Sequence, residues 1–534
     1  MHRKENNITQ RIILSLIASM LTMSLSAQTT PKRPSLVIGI MIDGLTQDYI
    51  DKLRNHFGND GFNRILKDGV IIPNLDYGTS LDNSAATAMI YSGSAPSING
   101  IPSHEIYNVE SKRTQPILLD PSKIGNYTTE TYSPASLLVS TLTDEIKIDA
   151  DGLNQVHSIA PDAMQSIIMA GHAANSAFWI NDNTGKWATT THYKDVPSTI
   201  SGRNHSTPLS TRLDQIEWKP SLDISKYPDL PEHCHFYPFR YSFPDYEPNR
   251  YKMFKSSACV NSEITSVATD YITSLALGEH KDGIDMLNIA YTLTPYQYTR
   301  TADSRFETMD AYIKLDADLA TLFAAIDRTV GMNNSLVFIA GTPARTRTRR
   351  DDEKWNIPSG QFSTRRAISL LNMYLMAKHG NGEWVNGIHD NSFYLNHKLI
   401  QNRNIDVKTM RQDAVEFLMK MSGVTSAYTI DDIITHRVGE NPEALHRNTY
   451  FKLSGDIFFT IAPGWSINDD DNTANGNVYV TRLAPSSAPA FILAPNVEAQ
   501  TISYPVDARS IAPTVARLLR IRSPNSATIL PLQF

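Results

Sequence analysis

The sequence predicts an α/β fold with a mostly parallel central sheet, helices on both faces and cap insertions. Three observations carry that expectation. Mostly apolar runs without alternation span 35–42 (SLVIGIMI), 287–291 and 336–340, which is the pattern of strands buried on both faces. A helical repeat at Met309, Tyr312, Ile313, Asp316, Leu319, Leu322, Phe323 and Ile326 stands between the last two runs, and strands alternating with helices imply a parallel sheet. At 534 residues, 41% of them apolar, the chain has the length and core material for one large α/β domain with insertions.

Taken in chain order, the first segment is an export signal. Arg3, Lys4 and Arg11 supply the positive region, 12–25 the apolar stretch, and small residues lead to cleavage near Ala27 or Gln28. That apolar stretch is too short for a span, which needs about 20 residues, and no later segment is long enough. The mature chain is therefore expected to be exported, to the periplasm, the outer cell envelope or beyond, without a transmembrane segment. Residues 28–534 then form the α/β domain. Its first strand ends in Asp43-Gly44, and ligands of such sheets gather at the carboxyl ends of the strands. Residues 215–260, rich in Pro, Tyr and Phe, and 400–455, with the pattern of a small α+β insertion, are the expected caps. Cys234 and Cys259 are the two cysteines, so lipid anchoring through a cysteine near the signal is excluded. In an exported chain they are enough for one disulfide or a pair of thiols, and both readings stand. Lys plus Arg at 49 against Asp plus Glu at 55 gives a net charge of −6, which excludes a nucleic-acid binder held by a basic face.

Seven stretches run in order from the first strand to the last helix: VIGIMIDG at 37–44, IYSGSAPSINGI at 90–101, MAGHAANSAFW at 169–179, DAYIKLDADL at 310–319, GEWVNGIHDNSFYLNHKLI at 382–400, SGDIFFTIAPGW at 454–465 and VDARSIAPTVARLLRI at 506–521. On them the chain resembles the alkaline phosphatase superfamily, and within it the exported bacterial branch, related to nucleotide pyrophosphatases, that uses two zinc ions and a threonine nucleophile. The resemblance implies the fold and a phosphoryl-transfer site in which one cation activates the nucleophile and the other stabilises the leaving group.

Zinc takes imidazole, thiolate or carboxylate ligands, and the positions that the resemblance assigns to them read as follows. Asp43 keeps a carboxylate. The nucleophile position holds Asn83, whose amide is not a nucleophile. The Asp and His after the 287–291 run are replaced by Pro295 and Thr299, the consecutive Asp-His pair after LVFIAG by Thr342 and Pro343, and the last His by Ser487. The Lys and Arg that clamp the phosphoryl oxygens become Asp162 and Met164. A lone carboxylate does not hold two cations, because affinity comes from several deprotonated ligands together.

Other residues have two readings each. Ser84, Thr79 and Ser80 stand beside the nucleophile position. His172 belongs to the family's scaffold pattern. His233 and His235 flank Cys234, either as a metal triplet or as part of a cap loop. Arg345, Arg347, Arg349 and Arg350 follow the lost Asp-His pair, as an anion-binding loop or a partner-facing run. The expectation is a pseudoenzyme without zinc or another cofactor, with a binding or envelope-assembly role and an envelope protein as partner. The competing expectation is a divergent phosphate- or sulfate-ester hydrolase with an atypical nucleophile and zinc.

Overall fold

The computed structural model describes residues 33–534 apart from 231–233, 235, 237, 281–282, 300–302, 344–345, 349–357, 359, 439–440, 463, 469–476 and 480–485. The export signal expected at 1–27 lies outside the described residues, as do His233, His235, Arg345, Arg349 and Arg350. Arg347 falls in the short strand Thr346–Thr348, whose side chains are likewise outside the description.

The elements that position the site are, in chain order, β1 (Leu36–Asp43), β2 (Val70–Asp76), α1 (Asn83–Ser92), α2 (Leu142–Asp149), β3 (Val156–Ala160), α3 (Ala163–Ala170), α4 (Cys259–Ser274), β4 (Asp285–Thr292), α5 (Arg305–Thr329), β5 (Ser335–Thr342), α6 (Pro442–Asn448), β6 (Ser487–Leu493) and α7 (Ile511–Leu519). All eight residues of β1 are buried. It lies in the middle of an 11-stranded sheet, hydrogen-bonded in parallel to β4 on one side and β5 on the other. β3 continues the parallel set beyond β4. β6 is antiparallel to both β5 and β2, which returns β2 to the direction of β1. Five strands therefore end at one edge, with Asp43, Asp76, Ala160, Thr292 and Thr342 as their last residues.

Alternation along β1 divides its side chains between two cores. Ile38, Ile40 and Ile42 join α4 and α5 through Ile264, Val267, Leu315 and Leu319. Val37 and Met41 face α1 and α7 through Met89, Ile90, Ile511 and Val515. Gly39 shares the second face. A Cβ there would stand 2.5 Å from the Tyr91 hydroxyl, 2.7 Å from Phe338 Cζ and 2.9 Å from Asn288 Oδ1. The Tyr91 hydroxyl also donates to that Asn288 oxygen at 2.9 Å. Gly39→Ala is expected to cost about 1–3 kcal/mol by overpacking, read as a lower urea midpoint with an unchanged slope.

A second, four-stranded antiparallel sheet (Val385–His389, Ser392–Leu395, Ile457–Ile461, Val424–Thr429) carries its own core with the helices Thr364–His379 and Val407–Leu418. Its strands span 385–461, so the sheet begins before residue 400 and ends beyond 455. In the other expected cap, Trp218 packs against Phe239, Tyr241 and Tyr296 at centroid distances of 5.2, 5.8 and 5.2 Å. Among the described residues no helix is long and apolar enough to cross a membrane.

Candidate functional site

β1 delivers Asp43 to the carboxyl edge, in register with Thr292 on β4 and Thr342 on β5. Two helix starts converge on it. α1 opens at Asn83, capped by Asp82, which accepts the Ala85 N–H at 2.9 Å. α3 opens at Ala163, capped by Asp162, which accepts the Met164 N–H at 2.9 Å. Such caps satisfy otherwise orphaned backbone donors and fix where the first turn points. The first turn of α1 thus presents Asn83, and that of α3 presents Gln165.

Asp43 is 7% exposed. Its Oδ2 accepts Asn83 Nδ2 at 3.0 Å. Its Oδ1 accepts both Gln165 Nε2 at 2.8 Å and Thr342 Oγ1 at 2.7 Å. Burial pushes this carboxyl up to about 6; the Asn83, Thr342 and Gln165 bonds oppose that rise, and the Asp162 charge adds to it. Tyr77 is fully buried alongside, its hydroxyl donating to the Gly341 carbonyl at 2.6 Å.

A second polar group adjoins the first. His104 donates its backbone N–H to Asp82 Oδ2 at 2.5 Å, and its Nδ1 lies 3.4 Å from Ser84 Oγ and 3.8 Å from Asp162 Oδ1. Burial pulls the imidazole down, but the carboxylates of Asp162, Asp82 and Glu105 outweigh it and leave His104 above the ordinary histidine value. Ser84 itself is fully buried.

Of the positions read from the sequence, Asp43, Asn83 and Thr342 are in direct contact and Asp162 is close by. Pro343 is buried next to Thr342 and brings no donor. After β4 the chain passes beside Gly44. The Leu293 N–H donates to the Asp43 carbonyl at 2.7 Å, Pro295 follows, and Tyr296 packs between Trp218 and Tyr241. Thr299 hydrogen-bonds to Glu307 on α5. Met164 is core, packed with Ile167 and Trp179. Ser487 is exposed at the start of β6, opposite Asp76. Among the described residues no group of three or more His, Cys, Asp or Glu side chains is arranged to hold a metal ion.

Two participants are absent from the sequence reading. Gln165 sits at the third position of a helix whose remaining residues are mostly apolar, and a polar residue in that first turn, after a strand's carboxyl end, is the available signal. His104 offers none, since it lies in a loop and reaches the group through Asp82 and Ser84. His172 is held by Asp144 and the Leu137 carbonyl. Its Nδ1 meets Asp144 Oδ2 at 2.9 Å, its Nε2 donates to the Leu137 carbonyl at 2.9 Å, and its N–H donates to Asp144 Oδ1 at 2.7 Å. Cys234 and Cys259 are not joined by a disulfide, and burial pushes both thiols up to about 11.

Residues 37–484 match the family described as type I phosphodiesterase / nucleotide pyrophosphatase. The chain is 26% identical over 517 residues to the alkaline phosphatase PhoV of Synechococcus elongatus, covering 93% of this chain and 92% of that protein. It is 26% identical over 532 residues to the alkaline phosphatase PafA of Elizabethkingia meningoseptica, 94% of each. A Myroides odoratus protein named as a calcium-transporting ATPase is 27% identical over 551 residues, 98% of each. The crystal structure of wild-type PafA shares the fold, with a TM-score of 0.82 at 24% identity over 94% of this chain and 98% of that one. With one family pattern running from β1 almost to β6, the chain belongs to the type I phosphodiesterase / nucleotide pyrophosphatase family of the alkaline phosphatase superfamily.

Proposed function

We propose that within this family of phosphoric-ester hydrolases the chain is a pseudoenzyme, an exported protein of the periplasm or outer envelope that works by binding. Its partner is another envelope protein or a ligand of the remodelled cleft. The observation that carries this reading is the neutral set of donors around Asp43. Both of its oxygens accept hydrogen bonds from neutral amide and hydroxyl groups. A metal at Asp43 would find around it the neutral side chains of Asn83, Gln165 and Thr342. Pro295 and Pro343 have no donor, Thr299 is turned toward Glu307, and Ser487 faces solvent. These residues do not fit a two-zinc centre, which is built from imidazole and carboxylate ligands. A phosphate would meet Asp162 in place of a cationic clamp, with Asp82 and Asp43 behind it.

The contact of Ser84 with His104 favours a second reading, a divergent phosphate- or sulfate-ester hydrolase, although the serine has no exposed surface. Elemental analysis of the purified protein after equilibration with zinc separates the two. The expected result is well under one zinc per chain, and p-nitrophenyl phosphate, bis-p-nitrophenyl phosphate and p-nitrophenyl sulfate turned over no faster than in buffer. Two stoichiometric zinc ions, or ester hydrolysis lost on Asp43→Ala or Ser84→Ala, would overturn the binding reading.

A further inference from the structure

α6 presses against the 77–82 loop that joins β2 to α1. Asn448 Nδ2 donates to the Tyr77 carbonyl and to Thr79 Oγ1, both at 2.8 Å. The preceding residue, Arg447, is half-buried, and its guanidinium forms neither a hydrogen bond nor an ion pair among the described residues. Its Nε has no exposed surface. Of the three acids in its field, Asp507, Asp76 and Glu443, the first two are already engaged. Asp507 accepts Arg509 Nε at 3.0 Å and Nη2 at 2.6 Å, and Asp76 Oδ1 accepts the Gly78 N–H at 2.7 Å. Burial and the neighbouring Arg509 both weaken the hold of Arg447 on its proton. A buried polar atom without a partner among the described residues is costly, and in a native fold it calls for an explanation.

The loop is shaped around this guanidinium. Gly78 has φ +81, and a Cβ there would lie 2.7 Å from Arg447 Nη2 and 2.8 Å from Ala444 Cβ. A glycine therefore keeps the arginine fork against the loop backbone. Two residues on, Ser80 is 1% exposed and its hydroxyl has no partner among the described residues. Asp76 is the last residue of β2, opposite Ser487 and Asp507, so the group lies on the same sheet edge as Asp43.

We propose that Arg447, with Arg509 beside it, forms an oxyanion site at this edge for a phosphate- or sulfate-class anion, free or as the end group of an ester. The planar guanidinium suits two oxygens of such a group at once. Asp76, Asp507 and Glu443 oppose the anion's charge, so selectivity rests on directional hydrogen bonds to the fork. The site is separate from Asp43, and its occupancy is independent of whether Asp43 binds zinc.

Isothermal titration of inorganic phosphate into the purified protein, against chloride at matched ionic strength, tests the proposal. A parallel titration with phosphoserine distinguishes a free anion from an ester end group. One saturable site per chain is expected, weakened at least tenfold by Arg447→Met and less by Arg447→Lys. Should Arg447→Met fail to fold, Arg447→Gln serves in its place. No saturable binding of either probe to the unaltered protein would overturn the site, as would unchanged affinity in a folded Arg447 variant.

Discussion

Replacing Asp318 by Asn is expected to stabilise the protein at pH 8 and to leave its stability unchanged at pH 4. Asp318 lies on the face of α5 that packs against α4; it is 8% exposed and accepts a single described hydrogen bond, from Ser262 Oγ at 3.1 Å. Burial pushes its carboxyl from 3.8 to about 7, against the opposing pull of Ser262 and Lys314. The sign follows from proton binding. Between about pH 4 and pH 7 the folded chain holds a proton here that the unfolded chain has released, so stability falls as pH rises through that window. Each pH unit between the two values is worth about 1.4 kcal/mol, which makes the burden at pH 8 about 2–4 kcal/mol. Asparagine carries no charge at either pH. Urea unfolding of both proteins should give coincident curves at pH 4 and a higher midpoint for Asp318→Asn at pH 8. A variant less stable at pH 8 would mean that the carboxylate is ionised and well solvated in the fold.

Asp310→Ala should have the largest destabilising effect, about 3–5 kcal/mol. This carboxylate has no exposed surface and accepts Trp218 Nε1 at 2.7 Å, the Ser221 N–H at 2.6 Å and the Tyr227 hydroxyl at 2.7 Å. Alanine would strand these donors in the interior, where each lost partner costs about 1–3 kcal/mol. The donors all come from the aromatic segment, so the damage should be local as well as global. Amide exchange in 217–242 is expected to quicken more than exchange in β1, in addition to a lower urea midpoint. Equal acceleration in both places would mean that the segment is not fastened to α5 through Asp310.

The first central strand was legible because a strand buried on both faces is largely apolar along its length, as 36–42 is. α5 was legible from its spacing, although it runs a full turn or so beyond the periodic residues at Met309 and Ile326. The second sheet was read only in part. Its first two strands, Val385–His389 and Ser392–Leu395, are short and include Asn, Gly, His and Ser, so neither length nor apolar pattern separates them from a loop. At the site, the sequence named Asp43, Asn83 and Thr342 from family positions. The hydrogen bonds that link them, and the part played by Gln165, depend on the angle between two helix starts, which no linear spacing encodes.

The place of β1 in the sheet bears on how the protein is made. The strand that leaves the ribosome first is the one that ends in the middle, and its partner β4 follows roughly 250 residues later in the chain, with β5 later still. Until both exist, seven consecutive residues with no hydrophilic side chain before Asp43 have no edge to pair with. Such distant pairing makes folding slow and leaves sticky intermediates. Synthesis must therefore carry a long unfolded chain in which an apolar strand waits for its partners. A chaperone that holds this segment until about two-thirds of the chain has emerged would set the yield of native protein.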